Sequence, residues 1–345
     1  VGAASAQVML YVSEIAPAEA RGQLATLAPM TGTTGILISY FVDYGFSADG
    51  AWRWMFGVAV IPSVLLIIGM CFAPDSPRWL AHRGRFEEAL AVLRQSRPPE
   101  RAAQELAEIR KVAHTSSHVG LAALFTDRAL LGPLAVACGL AVLQQIVGIN
   151  TVIYYAPTIL KNIGFGASSA ILTTACLQFL AILATLTASR LVDKAGRRPL
   201  LIAGAIVMGM SLAAIGIIMQ TALAFTLAGH IIAVTALAVY KMAFSFSWGP
   251  LVWVIMPEVL PLRARGAGMG VSTLCNWASN FAVSFSFPLL LATSSLLVFG
   301  VFIGGCVLAL LFTLGILKET ARKSLERIEM EDEALGEAIP GIAHH

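Results

Sequence analysis

Eight apolar runs, each close to the length that a helix needs to cross a bilayer, constrain the fold of this chain more than any other feature. Residues 1–13 read as the end of one more, and the eight runs cover residues 24–42, 54–73, 130–157, 168–189, 199–219, 225–256, 267–291 and 296–317. A membrane-spanning helix needs about 20 mostly apolar residues. The chain has 57% hydrophobic and 12% charged residues, whereas soluble domains have roughly 45–50% and 25%. These observations predict an all-α polytopic membrane protein.

Lys and Arg residues fall almost entirely on alternate connections between these runs, as in the clusters within 78–128, 190–198 and 318–327. The positive-inside rule places such connections in the cytoplasm. The C-terminus is therefore predicted to be cytoplasmic, in a multi-pass protein of the inner (plasma) membrane. The net charge of +3 is too small to indicate a nucleic-acid partner, and the Lys and Arg residues fall in short, separate clusters and not in one block. The lipid bilayer is the partner that this pattern indicates.

One connection, residues 74–128, is long and polar. Within it Phe86, Ala89, Leu90 and Leu93 follow the i, i+3, i+4, i+7 spacing of an amphipathic helix. This spacing predicts short helices on the cytoplasmic surface. They form either a linker between two bundles or a regulatory binding segment.

An internal repeat predicts two related halves. EIAPAEARG at residues 14–22 recurs as EVLPLRARG at 258–266, and two apolar runs follow each copy. Parallel repeats of six spans are known from transporters. The comparison of the halves predicts a twelve-span fold of which about 8.5 spans are present, with about three and a half missing before Val1. The predicted divisions are the rest of an N-terminal bundle (1–73), a cytoplasmic linker (74–128), a C-terminal six-helix bundle (129–317) and a cytoplasmic tail (318–345).

Nothing in the sequence indicates an enzyme. The five cysteines stand singly in apolar stretches, without the spacing of a metal site. A phosphate-binding loop and a nucleophile–base pair are also missing from the sequence. We therefore expect no catalytic residue, no cofactor and no metal.

Six motifs resemble the sugar-porter family of the major facilitator superfamily, whose members include bacterial sugar/proton symporters. The motifs are EIAPAEARG with its second copy, PDSPRWL (74–80), QQIVGIN (144–150), DKAGRR (193–198), GPLVW (249–253) and NW (276–277). Their order and positions at the ends of spans match the family along almost the whole chain. The resemblance implies the major facilitator fold and a sugar as substrate.

By resemblance, the substrate-binding positions are amides and aromatic residues that line a central cavity. They are Gln144, Gln145, Asn150, Tyr154, Trp253, Asn276 and Trp277. Amides both donate to and accept from sugar hydroxyls, and an indole can cover the C–H face of the ring. On one ideal helix Gln145 and Asn150 would lie about 140° apart, so we expect a break at Gly148. The alternative role for these amides, and for Asn280, is hydrogen bonding between helices.

Three positions depart from the family pattern or from what a membrane span normally contains. Pro29 and Ala181 stand where the family commonly has a Gln and an Asn, which leaves open a less hydroxylated or differently shaped ligand than glucose or xylose. Lys241 lies inside an apolar run. It is either a functional cation, able to hold an anionic ligand, or a side chain that snorkels to the outer interface.

Charged residues at the cytoplasmic ends of spans form a predicted charge latch that favours the outward-facing state. Its members are Glu14, Arg21, Asp193, Arg197, Arg198, Glu258 and Arg265. The alternative is that the basic members only fix the topology.

The sequence as a whole predicts a secondary transporter that moves a hexose or pentose by alternating access, with a proton as the coupling ion. The alternatives are a membrane sugar sensor that does not transport and a nonfunctional fragment of a transporter. In proton-coupled relatives the proton-carrying groups lie on earlier spans, so the 345-residue chain alone is not expected to carry out coupled transport.

Overall fold

A computed structural model describes Tyr11, Ile15 and residues 21–115, 121–261 and 264–317. These residues form α-helices, one short 3-10 helix (Ala222–Phe225) and connecting turns, and none of them lies in a β-strand. The helices are α1 (Arg21–Ser47), α2 (Trp52–Val58), α3 (Val60–Phe72), α4 (Pro77–His82), α5 (Phe86–Ser96), α6 (Pro99–Thr115), α7 (Leu121–Thr126), α8 (Arg128–Ile146), α9 (Ile149–Asn162), α10 (Ala167–Ala195), α11 (Arg197–Met219), α12 (Leu227–Phe246), α13 (Trp248–Val259), α14 (Arg265–Thr293) and α15 (Ser295–Gly315).

Seven of the eight predicted spans correspond to helices, or to pairs of consecutive helices, that are long and apolar enough to cross a membrane. They are Trp52–Phe72, Arg128–Asn162, Ala167–Thr187, Arg197–Met219, Leu227–Val259, Arg265–Thr293 and Leu296–Gly315. The remaining run, at 24–42, lies inside the 27-residue helix α1, which is not among the seven. The prediction of an all-α polytopic membrane protein is confirmed.

Three predicted spans are interrupted. The expected break at Gly148 is present, because Gly148 has a φ of 92° and separates α8 from α9. A second break, which the sequence analysis did not predict, lies at Ser247 (φ −125°, ψ −90°) between α12 and α13. The third lies at Ala59, between α2 and α3. Pro250, in the first turn of α13, has no backbone N–H with which to continue the hydrogen bonds of α12.

The described residues fall into two compact units. One comprises Val1–His118 with Ala167–Ala175, and the other comprises Val119–Gly166 with Cys176–His345. These units do not test the predicted boundaries at residues 73, 128 and 317, which remain predictions.

Short helices of residues 77–115 pack against one another in the first unit. The predicted amphipathic helix is α5, whose Ala89 and Leu93 are buried. Arg97, only 9% exposed, fastens the α5–α6 turn: its Nε lies 2.6 Å from Glu105 Oε2, and its Nη1 donates to the Ile15 carbonyl at 3.2 Å. At the start of α5, a hydrogen bond from Arg85 lowers the pKa of the Glu88 carboxyl.

In the second unit, α11 packs against α12 and α15, and α8 packs against α13 and α14. Close approach at the Ser247 break depends on Gly204 of α11, because a Cβ at that position would collide with the Ser247 side chain. Trp248, fully buried, fixes the start of α13 by donating from Nε1 to the Leu201 carbonyl at 2.9 Å. The Ser247 break is therefore held in place by the neighbouring helix α11.

The glycine at the first break yields a prediction. Gly148→Ala would place a side chain at a φ that costs a non-glycine residue about 1–2 kcal/mol, and its Cβ would lie 2.7 Å from the Phe302 ring. We expect a lower apparent Tm for the purified protein in one detergent. Gly300→Ala is the matched control, since a Cβ there meets nothing within 4 Å and Ala favours a helix over Gly. Equal effects of the two substitutions would contradict this account of the break.

Candidate functional site

The four amides predicted to line the site form one hydrogen-bonded cluster beside the breaks at Gly148 and Ser247. Gln144 and Gln145 lie in the last turn of α8, Asn150 lies in the first turn of α9, and Asn276 lies within α14. Gln145 Nε2 donates to Asn276 Oδ1 at 3.1 Å, and Asn150 Nδ2 donates to Gln145 Oε1 at 2.7 Å. The break at Gly148 brings Asn150 back to the face that carries Gln145.

Two members of this amide cluster are anchored to the backbone. Gln144 Nε2 donates to the carbonyls of Trp248 and Gly249 at 2.9 and 3.1 Å. Asn276 Nδ2 donates to the Ala141 carbonyl at 2.9 Å and to Gln144 Oε1 at 2.8 Å. The cluster therefore connects the end of α8 to the start of α13 and to the middle of α14.

The members of the amide cluster differ in how much hydrogen-bonding capacity they keep. A primary amide offers two N–H donors and two acceptor lone pairs. Asn150 makes one hydrogen bond, through Nδ2, so within the part of the chain that the structure describes its Oδ1 and its second N–H have no partner. Asn150 is also half-buried, whereas Gln144, Gln145 and Asn276 are 3–5% exposed. Asn150 is therefore the member best placed to bind a ligand.

The carbonyl at the Gly148 break is held by α12. Tyr240, fully buried, donates its hydroxyl proton to the Val147 carbonyl at 2.8 Å. Phe302 of α15 lies against Gly148. Sequence analysis missed Tyr240 and Trp248, since aromatic residues in apolar spans give no signal that their polar atoms support a break.

Three aromatic residues were predicted to line the same site, and the structure shows no hydrogen bond between any of them and the amide cluster in the ranges it covers. Tyr154 is 54% exposed and lies one turn after Asn150 on α9. Trp253 is half-buried on α13. Trp277 follows Asn276, and its Nε1 is buried without an acceptor among the described atoms. An unpaired buried N–H costs about 1–3 kcal/mol, so Trp277 presents a donor that a ligand or a water can satisfy.

The sequence also singled out Asn280, Ala181, Pro29 and Lys241, which lie outside the amide cluster. Asn280 accepts a hydrogen bond from Ser284 at 3.0 Å, one turn along the same helix, so this bond does not join two helices. Ala181 is buried in α10, and the Pro29 side chain lies outside the described residues. Lys241 is only 4% exposed, whereas a snorkelling side chain would expose its ammonium group.

The charge-latch residues that the structure describes contact the ends of helices in the second unit. Arg197 Nη2 lies 2.7 Å from Glu258 Oε1, which joins the start of α11 to the end of α13. Arg198 donates to the Thr313 and Leu314 carbonyls at the end of α15, and Arg265 donates to the Leu260 carbonyl. Glu14 and the side chains of Arg21 and Asp193 lie outside the described residues.

Within the described ranges, no three His, Cys, Asp or Glu residues lie close enough together to hold a metal ion. The amide cluster consists of uncharged side chains that both donate and accept hydrogen bonds. Such a site suits an uncharged, hydroxylated molecule, because its amides can donate to hydroxyl groups and accept from them. Neutral amides at membrane depth also avoid the cost of burying a charge.

Comparisons with known proteins identify relatives along most of the chain. A family model described as "Sugar (and other) transporter" matches residues 1–331. A probable metabolite transport protein, CsbC of Bacillus subtilis, is 42% identical over 331 residues, which cover 95% of this chain and 71% of that protein. The glucose transporter GlcP of Staphylococcus epidermidis is 38% identical over 336 residues, which cover 96% of this chain and 74% of that protein.

Solved structures show the same fold. The proton:xylose symporter XylE of the major facilitator superfamily, bound to 6-bromo-6-deoxy-D-glucose, superposes with a TM-score of 0.75 at 31% identity. The match covers 95% of this chain and 70% of that one.

Proposed function

The chain belongs to the sugar (and other) transporter family, with the major facilitator fold, and from that premise we propose that it moves a hexose or pentose across the membrane by alternating access. The family consists of transporters, not enzymes. The observation that carries the proposal is the neutral amide cluster at two helix breaks, with Asn150 left open to a ligand. Irregular backbone at membrane depth is tolerated where it lines a cavity, and transporter sites are typically built there.

Substrate chemistry follows from the open groups. A sugar hydroxyl can donate to Asn150 Oδ1 and accept from the second N–H of the same amide. We propose Gln145 and Asn150 as the amides that contact the sugar, with Tyr154, Trp253 and Trp277 as the aromatic surface and the Trp277 N–H as a further donor. Gln144 and Asn276 lie behind them, anchored to backbone carbonyls.

Coupling and placement are further parts of the proposal. One similar protein is named a glucose transporter and another a proton:xylose symporter, so we propose a proton as the coupling ion. The alternating Lys and Arg clusters support a cytoplasmic C-terminus in the inner membrane.

Gating is proposed for the cytoplasmic charges. The pair of Arg197 and Glu258 fixes the cytoplasmic end of α13 to α11, and α13 begins at the amide cluster. Release of this pair frees the end of a helix whose other end supports the binding site. The pair therefore favours the state in which the cytoplasmic side is closed.

The first test concerns the sugar contacts. We expect Gln145→Ala and Asn150→Ala each to weaken binding of D-glucose or D-xylose without lowering the amount of protein in the membrane. Each substitution leaves a buried sugar hydroxyl unpaired, which costs about 1–3 kcal/mol, or about 5- to 150-fold in Kd. Calorimetry in lipid nanodiscs measures the change. The control is Asn162→Ala, which removes an exposed amide at the end of α9, the helix that begins next to Asn150. Unchanged affinity in both cluster variants would refute the site.

The second test concerns gating. Glu258→Arg replaces an ion pair with a repulsion. We expect it to shift the free-energy difference between the inward-open and outward-open states by about 1–2 kcal/mol, which raises the ratio of inward-open to outward-open protein about 5- to 30-fold. The test uses Tyr154→Cys in a background without the native cysteines. An impermeant maleimide is added to one side or the other of oriented vesicles, and the labelling rate of this cysteine from each side is measured. Glu87→Arg makes the same charge change on exposed linker surface and is the control. Equal labelling of Glu258→Arg and its parent would exclude a gating role.

A further inference from the structure

Thr151 is a fully buried residue in the first turn of α9, and its hydroxyl has no hydrogen-bond partner among the described atoms. Buried threonines elsewhere in this chain behave differently. Thr174 and Thr313 each donate to the backbone carbonyl four residues earlier, at 2.8 Å. The carbonyl in that position for Thr151 belongs to Val147, which the break at Gly148 separates from α9.

The Val147 carbonyl already accepts from another hydroxyl. Tyr240 of α12 donates to it at 2.8 Å. The first backbone bond of α9 begins one residue later, where the Gly148 carbonyl accepts from the Val152 N–H at 3.0 Å. If α9 continued α8 without a break, the Thr151 N–H would donate to the Val147 carbonyl, and the Thr151 hydroxyl would reach the same oxygen. Tyr240 and Thr151 are therefore alternative donors to one carbonyl, and the geometry at Gly148 decides which of them donates.

We propose that the break is a two-state joint, and that Tyr240 and Thr151 set its balance by exchanging places at the Val147 carbonyl. In the broken state Tyr240 donates and the Thr151 hydroxyl is left without a partner. In the continuous state Thr151 donates, and the Tyr240 hydroxyl loses this acceptor. Glycine adopts positive and negative φ about equally well, so Gly148 itself favours neither state.

The joint also affects the amide cluster. Each state satisfies one hydroxyl and costs the other its partner, which keeps the two states close in free energy. The bond from Asn150 Nδ2 to Gln145 Oε1 depends on the break, since these residues would lie about 140° apart on one helix. The broken state is therefore the one that presents both amides to a sugar, a step that rests on the proposed function.

Spin labels measure the two states without a ligand. In a background without the native cysteines, the labels are attached to Asn162→Cys and Leu296→Cys. Asn162 is the exposed end of α9, and Leu296 is exposed at the start of α15, which packs against α8. The distance between the labels changes when α9 changes its direction relative to α8. Double electron–electron resonance on the full chain in lipid nanodiscs gives the ratio of the two distances.

Tyr240→Phe removes only the hydroxyl that holds the broken state. We expect it to raise the ratio of the continuous to the broken state about fivefold or more. Thr151→Val removes the competing hydroxyl at nearly constant shape, so adding it to Tyr240→Phe should lower that ratio again by a similar factor. The matched control is Thr174→Val, which removes a buried hydroxyl that serves its own helix. It should leave the ratio in Tyr240→Phe unchanged.

Two outcomes would overturn the joint. One is a double variant that matches Tyr240→Phe, as it would if the Thr151 hydroxyl only bound a buried water. The other is a distance distribution of Tyr240→Phe that is identical to that of the parent. If Tyr240→Phe does not accumulate, Asn150→Ala replaces it, because this change removes the other bond that depends on the break. The same comparison with and without Thr151→Val then decides.

A further measurement with D-glucose distinguishes failure of the joint from failure of the proposed function. If Gln145 and Asn150 contact the sugar, saturating D-glucose should return Tyr240→Phe to the broken state. A distribution that D-glucose leaves unchanged, while Thr151→Val still reverses the effect of Tyr240→Phe, would refute the sugar contacts and keep the joint.

Discussion

A helix that is interrupted inside a bilayer leaves backbone carbonyls without their usual N–H partners, and no water is present in the hydrocarbon to replace them. Around the Gly148 and Ser247 breaks, buried side chains donate hydrogen bonds to backbone carbonyls. The Tyr240 hydroxyl donates to the Val147 carbonyl, which lies at the end of α8, where a helix leaves carbonyls unpaired. The Trp248 indole donates to the Leu201 carbonyl within α11, and the Gln144 amide donates to two carbonyls in the first turn of α13. The carbonyls in α11 and α13 also have helical N–H partners, so these bonds are additional ones that join neighbouring helices.

Backbone carbonyls also determine the polarity of the candidate site. An amide that donates to a backbone carbonyl has its oxygen turned away from that carbonyl, and the next amide must then present an N–H to it. The sequence of bonds from α13 and Ala141 ends at Asn150, which has no further protein partner among the described residues. The proposed sugar contact is thus the open end of a network whose other end supports the fold.

Much of the architecture could be predicted from the sequence, because long apolar runs and the placement of Lys and Arg depend on short-range patterns. The break at Gly148 was predictable too, since Gln145 and Asn150 cannot share a face of one straight helix. The break at Ser247 was missed, although Gly249 and Pro250 lie within three residues of it. Two such residues also occur at the ends of uninterrupted helices, so their presence alone does not indicate a break.

The partners of the site residues were beyond prediction from a single sequence. Gln144 and Trp248 lie 104 positions apart, and Gln145 and Asn276 lie 131 positions apart. No local pattern distinguishes an amide that supports a backbone carbonyl from one that faces a ligand. The sequence therefore put Gln144 and Asn150 in one set, and only the count of hydrogen bonds at each amide separates them.

The neutrality of the amide cluster matters for a protein proposed to change conformation. Each amide bond contributes about 0.5–1.5 kcal/mol net, so rearrangement of one or two of them stays within the few kcal/mol that separate populated conformations. A buried ion pair in the same position would cost about 3–5 kcal/mol to break. The ion pair of Arg197 and Glu258 instead lies where α11 begins and α13 ends, with both side chains partly exposed, at 14% and 22%. There its separation is less costly because water can solvate the released charges. The distribution of neutral bonds at the breaks and charges at the helix ends keeps both sets of contacts weak enough to exchange during transport.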